Sequence, residues 1–310
     1  MYTQIQENHP GVYNDEDPTF HEVLKNAFTS AQKESSPKSA IEAFAKSFND
    51  IHLWVSWNKK QQSQNHSPLD FSMQNISSKI TWITLPTFDL ARDQEKSFYQ
   101  INEKISKLKN KTVVFDLRGN QGGNSNYGSE IIDSLFGKKY TDVKRKIAYQ
   151  NIFVDWRASV DNLSHMTKLY DQYQTDWIKK VAEGMKDSIA EDLPYYRQYY
   201  KSEPVVDTYP LSKTKVFIII DQNNMSAALD FIDELKMMTP NVILVGRETK
   251  GDRLYMEVRK VNLPSGLGTF SFPIKVYRNR LRGDQVTYKP DFEAQTNDTE
   301  KLKRLIIQIR

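Results

Sequence analysis

The chain has 310 residues, no cysteine, 43 basic and 39 acidic side chains, and 38% hydrophobic residues. Zero cysteine excludes disulfides, thiolate-metal sites and a cysteine nucleophile, and a net charge of +4 spread over mixed signs leaves no footprint for nucleic acid. No window approaches the roughly 18 uninterrupted apolar residues of a membrane span. At roughly 150 residues per domain, the length fits one large domain or two modest ones with a sizeable core. Met1 to Pro10 is polar and lacks the basic-then-apolar pattern of a signal peptide. The expected location is therefore cytoplasmic, or periplasmic or secreted if a targeting segment has been removed.

From Pro18 to Phe48 the apolar spacing is helical: Phe20, Val23, Leu24 and Phe28, then Ile41, Phe44, Ala45 and Phe48. Ser35-Ser36-Pro37 separates the two helices, with Ser39 expected to cap the second. Ile51 to Trp57 alternates and reads as a strand. Lys59 to Pro68 is polar and reads as a surface loop or hairpin tip, Ile80 to Leu85 as a strand, and Gln94 to Leu108 as a helix.

Thr112 to Leu117 (TVVFDL) is an apolar, β-branched run of the kind buried on both faces of a sheet. It enters the glycine-rich turn Arg118 to Asn124 and then a helix through Ile131, Ile132 and Leu135. The same order returns at Lys215 to Ile220, with a loop from Asp221 to Met225, a helix from Ser226 to Met238 and a strand at Asn241 to Val245. Strands alternating with helices predict a layered α/β core. Tyr255 to Val261, Thr269 to Phe272 and Ile274 to Arg278 read as antiparallel strands, and Glu300 to Ile309 as a closing amphipathic helix. Lys139 to Ser212, dense in tyrosine and charge at helical spacing, reads as a helical insertion or lid, or as a plain packing extension. The expected layout is an N-terminal helical region over residues 1–50 and an α/β core over 51–310, with 139–212 inserted.

The chemistry-bearing residues are few. Of five histidines, His9 and His66 have no local support, while His52 stands at the mouth of a predicted strand, two residues after Asp50. Ser226 stands just past the Asp221–Asn224 loop at the start of an apolar helix. Free N–H groups and the positive dipole end there favour a developing oxyanion. A plain N-cap is the other reading of such a serine. Gly119, Gly122 and Gly123 fit neither the Walker nor the dinucleotide spacing. They suit a phosphate cradle or a backbone N–H aimed at an oxyanion.

Several motifs occur in order: FNDIHL (Phe48 to Leu53), VVFDLRGNQGG (Val113 to Gly123), NMSAALDF (Asn224 to Phe231), GRETKGD (Gly246 to Asp252), LPSG (Leu263 to Gly266) and KPD (Lys289 to Asp291). Together they resemble the S41 serine peptidases, the family of the carboxyl-terminal processing proteases and the tricorn core protease. The resemblance spans about Ile5 to the C-terminus and implies a crotonase-like α/β core. It implies Ser226 as nucleophile, Gly122 or Gly123 with the Ala227 N–H as oxyanion hole, and His52 as the general base of the tricorn-type branch. It also implies a peptide or unfolded-protein substrate and calls for no metal or cofactor; the oligomeric state stays open.

The departures from the family pattern are informative. The dyad lysine of processing proteases follows the second glycine of GxxTxG, and that position is Asp252; Lys250 comes two residues early. The glutamate that commonly follows the SAA element is Leu229, with Asp230 beside it. The tricorn-type acid falls on Asp284. Only 27 residues separate His52 from Ile80, too few for a PDZ module. The expectation is acyl transfer by Ser226 and His52, with Asp252 or alternatively Asp284 orienting the imidazole. The other expectation is an inactive relative that binds a peptide or hydrophobic ligand.

Overall fold

The computed structural model describes residues 1–58, 70–108, 112–200, 207 and 209–309. In chain order come helices α1 (Tyr2–Asn8), α2 (Phe20–Gln32) and α3 (Pro37–Lys46), then strands β1 (Trp54–Trp57), β2 (Ser72–Ser77) and β3 (Ile80–Thr84). Next are α4 (Arg92–Ser106), β4 (Thr112–Asp116), α5 (Ser125–Phe136), α6 (Lys138–Tyr149), β5 (Phe153–Arg157), α7 (Val160–Tyr173), α8 (Asp176–Ala190) and β6 (Tyr195–Tyr199). The last third holds β7 (Lys215–Ile220), α9 (Ala227–Met238), β8 (Val242–Gly246), β9 (Tyr255–Asn262), β10 (Gly268–Arg278), β11 (Phe292–Glu293) and α10 (Thr299–Ile309). The loop expected over Lys59 to Pro68 lies outside the described residues. No helix among the described residues is long and apolar enough to cross a membrane.

The chain forms two compact units, each built from three chain segments. The first comprises Met1–Gln64, Asn151–Tyr200 and Asp252–Asp284. Its sheet runs β1-β10-β5-β6, with β9 also paired to β10, and every pairing is antiparallel. Phe20, Leu24 and Phe44 from the N-terminal helices, Met166 from α7 and Val181 from α8 pack with Phe270, Phe272 and Ile274 of β10. α3 starts at Pro37, and its cap is Ser36, whose hydroxyl accepts the Ser39 N–H at 3.1 Å, rather than Ser39. A proline at the first helical position lacks an N–H, which moves the cap one residue ahead of it.

Two other expectations need correction in this unit. The stretch read as helical from Lys139 to Ser212 also holds β5 and β6, both joined to the β10 sheet. The two expected strands on either side of Pro273 are the single strand β10. Pro273 falls between the ladder to β1, which ends at Ser271, and the ladder to β5, which begins at Lys275. A proline is tolerated in a strand where no ladder bond is required of it.

The second unit comprises Asn65–Gln150, Lys201–Gly251 and Gln285–Arg310. Its sheet runs β11-β8-β7-β4-β3-β2, parallel throughout except for the antiparallel β2 at the edge. Strand side chains alternate between two apolar layers. Val113, Phe115, Val216, Ile218 and Ile220 meet α4, α5 and α9 on one face. Val114, Phe217 and Ile219 meet Leu302 and Ile306 of α10 on the other. Burial on both faces explains the unbroken apolar runs in β4 and β7, and each fully buried side chain of this size contributes about 1.5–3 kcal/mol.

Candidate active site

The loops at the carboxyl ends of β4 and β7 are tied into one another within the second unit. Arg118 sets the chain direction out of β4. Its Nε bonds one Asp116 oxygen at 2.8 Å, and its other nitrogens reach the Thr296 carbonyl at 2.6 Å and the Thr299 hydroxyl at 3.0 Å. Asp221 accepts the Gly119 N–H at 3.0 Å and the Asn223 N–H at 2.8 Å. Asn224 is fully buried, accepts the Asp221 N–H at 2.8 Å, and donates to the carbonyls of Leu117 and Asn120. The Lys250 N–H bonds the Asn224 carbonyl at 3.1 Å, so the turn after β8 joins the same lattice.

Two glycines in this lattice are required by the backbone. Gly122 has φ +89°, and a β-carbon on it would stand 2.8 Å from the Met225 carbonyl oxygen, 2.9 Å from Ala227 N and 2.9 Å from the Ser226 β-carbon. Gly123 has φ +134°, and a β-carbon there would meet the Phe88 carbonyl carbon at 2.1 Å. The cause is a bridge in which the Phe88 N–H bonds the Gly122 carbonyl at 3.0 Å and the Asn124 N–H bonds the Phe88 carbonyl at 2.7 Å.

Ser226 sits where β7 has turned toward α9, with φ 55° and ψ −127°. A non-glycine residue held there costs on the order of 1–3 kcal/mol and is retained only where its surroundings impose it. Ser226 occupies the position before the helix, yet its side chain makes no capping hydrogen bond. The N-cap reading therefore does not account for its hydroxyl. Its carbonyl accepts the Leu229 N–H at 2.8 Å, and the next residues, Ala227 to Leu229, are buried.

The N–H groups around Ser226 differ in their engagement. That of Gly122 is used, donating to the Asn120 side chain at 2.9 Å. Those of Gly123 and Ala227 have no acceptor among the described residues. Of the three N–H groups expected at an oxyanion hole, those of Gly123 and Ala227 are thus without an acceptor among the described residues, while that of Gly122 is engaged. Asp230, one turn along α9, accepts the Ser125 hydroxyl at 2.9 Å. Further along, Arg145 joins Glu234 at 2.8 Å and Asp133 at 2.6 Å, fixing α5, α6 and α9 to one another. Burial holds the Glu234 carboxyl above its usual range despite that arginine.

His52 belongs to the first unit, in the turn that leads into β1. Asp50 accepts the His52 N–H at 2.8 Å with the same oxygen that lies 3.5 Å from the imidazole Nδ1, and both residues are buried. Asp252, the acid favoured from sequence, belongs to the same unit. Asp252 is 1% exposed, and its carboxylate is paired with Arg282 and, at 3.4 Å, with Arg280. Asp284 accepts the Leu254 N–H at 2.9 Å and pairs with Arg253 at 3.5 Å. Asp50 faces the imidazole, so it joins Asp252 and Asp284 as a candidate for the orienting acid. The Asp-x-His spacing carried that signal, because an aspartate side chain bonds the backbone N–H two residues on.

The remaining histidines have other surroundings, and His66 lies outside the described residues. His9 is fully buried, stacks on Phe20 at 4.6 Å and accepts the Gly11 N–H at 3.0 Å. Its role is structural. Among the described residues no group of three or more acidic or histidine side chains is placed to hold a metal ion.

Comparison with known proteins places this arrangement in a family. The description "Peptidase family S41" matches residues 79–294, more than half of the chain. The chain belongs to peptidase family S41. Its fold is similar to that of a lipoprotein from Streptococcus agalactiae, with TM-score 0.51 and 12% identity over 99% of this chain and 93% of that one. It is also similar to a putative peptidase from Parabacteroides merdae ATCC 43184, with TM-score 0.51 and 13% identity over the same shares. No curated protein matches by sequence.

Proposed function

We propose that the protein is a serine endopeptidase acting on peptides or unfolded protein segments. The observation that carries this reading is the setting of Ser226, held in a strained backbone beside the unengaged N–H groups of Gly123 and Ala227. The Ser226 hydroxyl attacks the scissile carbonyl carbon while His52 takes its proton. The carbonyl oxygen, now an anion, is met by the Gly123 and Ala227 amides, each worth about 10²–10³ in rate for such a donor. The C–N bond then breaks, His52 returns the proton to the leaving amine, and water releases the acyl group by the same path in reverse. The Asp50 carboxylate, 3.5 Å from the imidazole Nδ1, stabilises the imidazolium by its charge.

Within this proposal the core has the crotonase-like layering of the tricorn-type branch. Residues 139–212 bear on substrate selection, and Asp252 has exchanged the lysine dyad's position for an arginine-bound structural role.

A fluorophosphonate probe tests the reading on the folded chain. Labelling that disappears in Ser226→Ala and falls steeply in His52→Ala is the expected result. Absence of labelling in folded wild-type protein overturns it and leaves a peptide- or ligand-binding relative of the family.

A further inference from the structure

Alternation along β5 sends Val154 and Trp156 into the apolar core of the first unit and Phe153, Asp155 and Arg157 to the opposite face. The register with β6 sets Tyr199, Arg197 and Tyr195 opposite those three in turn. On this face Asp155 is met by Arg197 and by Arg278 of β10. Arg157 has no acid partner among the described residues, although it is only 9% exposed. An arginine is almost never buried that far without an anion, because its charge has lost its water.

The guanidinium is fixed on two sides. Nη1 donates to the main-chain carbonyls of Ala158 at 2.6 Å and Pro194 at 3.0 Å. The Tyr13 ring covers one face, its centre 4.3 Å from the guanidinium carbon. That ring is placed by the short turn Pro10–Tyr13, whose Pro10 carbonyl accepts the Tyr195 hydroxyl. Asn14, the next residue, accepts from Arg278 and donates to the Tyr255 hydroxyl at 2.9 Å. What remains is the edge formed by Nε and Nη2. Nε is sealed from solvent without an acceptor, and Nη2, which keeps contact with solvent, has none among the described residues.

Elsewhere in this chain the same edge takes carboxylates. Arg118 grips Asp116 with Nε at 2.8 Å and Nη2 at 2.5 Å, and Arg197 grips Asp155 with the same nitrogens at 2.8 and 3.0 Å. The acids around Arg157 are committed to other arginines: Glu16 to Arg278, Asp17 to Arg253, and Asp155 to Arg197 and Arg278. Asp15 is exposed and forms no ion pair with Arg157. Burial pushes the Arg157 pKa down, and what opposes it comes from the Tyr13 and Tyr195 phenols rather than from a carboxylate.

We propose that Arg157 is a binding site for a small planar carboxylate, of formate or acetate size, held side-on by Nε and Nη2 beside the Tyr13 ring. The ligand approaches from the Nη2 end and supplies the counter-charge that a buried guanidinium requires. The sealed Nε keeps larger anions out. The site lies wholly within the first unit and is independent of the peptidase reading.

Arginine Nε–H signals of the full-length protein, labelled with nitrogen-15, test this directly by NMR. The Arg157 signal is the one missing in Arg157→Lys; should that variant not fold, Tyr13→Ala identifies the signal by its lost ring-current shift. Sodium acetate should move it saturably, while acetamide and sodium chloride at equal ionic strength leave it in place. The melting temperature of the wild-type protein should rise by about 2–4 °C for each tenfold increase in acetate above the dissociation constant, relative to chloride. Arg157→Lys, which lacks the fork, should weaken that response about tenfold or more. No movement up to about 0.1 M acetate, where any remaining affinity is too weak for a site, would overturn the proposal. So would equal movement with chloride or acetamide, or an undiminished melting response in Arg157→Lys.

Discussion

Gly122 approaches Ser226 so closely that a β-carbon on the glycine would stand 2.9 Å from the serine's own. The turn after β4 therefore sets the position of the serine, and any side chain at 122 must push the two loops apart. Gly122→Ala should lose about 2–5 kcal/mol, combining a φ of +89° that a β-carbon disfavours with an overpacked backbone contact. Its fluorophosphonate labelling rate should fall by about 10²–10³, the cost of misplacing an oxyanion donor. Melting curves and labelling rates on the same preparation check both; an alanine that leaves each untouched contradicts the contact.

The strain at Ser226 makes its own prediction. Ser226→Ala and Ser226→Gly both remove the hydroxyl, so both should be unreactive toward the probe. Only glycine relaxes the backbone at φ 55°, ψ −127°. After the entropy that glycine adds to the unfolded chain is subtracted, Ser226→Gly should exceed Ser226→Ala in stability by about 1 kcal/mol. Chemical denaturation of the pair measures the difference, and a less stable glycine variant would show that the conformation carries no strain.

Asp50 and Asp252 should separate cleanly. Asp50→Asn keeps the shape of the turn but removes the charge beside His52, so kcat should fall by up to about 10⁴ with KM little changed. Asp252→Asn leaves Arg282 buried with a weakened partner and should cost stability, on the order of 3–5 kcal/mol as for a broken buried pair. Its folded fraction should turn over peptide at close to the wild-type rate. Kinetics below each variant's melting range decide between them, and a collapse of kcat confined to Asp252→Asn would return the orienting role to that residue. Lys250→Ala should be nearly silent in the same assay.

His9 ties stability to pH. Burial in the first unit pushes its imidazole down to about 3, whereas in the unfolded chain it titrates near 6.5. Between those values the unfolded chain binds the extra proton. Stability should therefore fall as pH drops from about 6.5 towards 3 and be fully retained above 6.5, an effect of a few kcal/mol at most. His9→Asn, which can still accept the Gly11 N–H, should show a flatter dependence of melting temperature on pH through this window. An unchanged slope would mean that other groups carry it.

The second unit was largely legible in the sequence because its strands are buried on both faces and its turns carry glycine. Val113 to Phe115 and Val216 to Ile220 declare themselves by composition alone. The first unit was harder. Asp155 is fully buried in β5 between Arg197 and Arg278, and an acid inside a strand erases the alternation that hydropathy detects. β2 escaped notice because it is polar and, among the described residues, an edge strand paired only with β3. Ser226 was singled out by its motif, while its dihedral angles and its contact with Gly122 depend on residues about a hundred positions apart. Asp252 drew attention by standing where a lysine was expected, yet its partners Arg280 and Arg282 come from the segment after β10, beyond any local pattern.

The placement of β10 has a consequence for synthesis. Among the described residues β1, the strand that His52 leads into, pairs with β10 alone, and the two lie more than 200 residues apart in the chain. At roughly 5–20 residues per second, a ribosome needs about 10–40 s to travel from one to the other. During that interval β3, β4, β7 and β8 are complete and the serine loop can close, while the segment holding His52 still lacks the strand that seats it. Under the roles proposed here, the nucleophile matures before its base. A growing chain is thus made beside a serine whose proposed base is not yet seated.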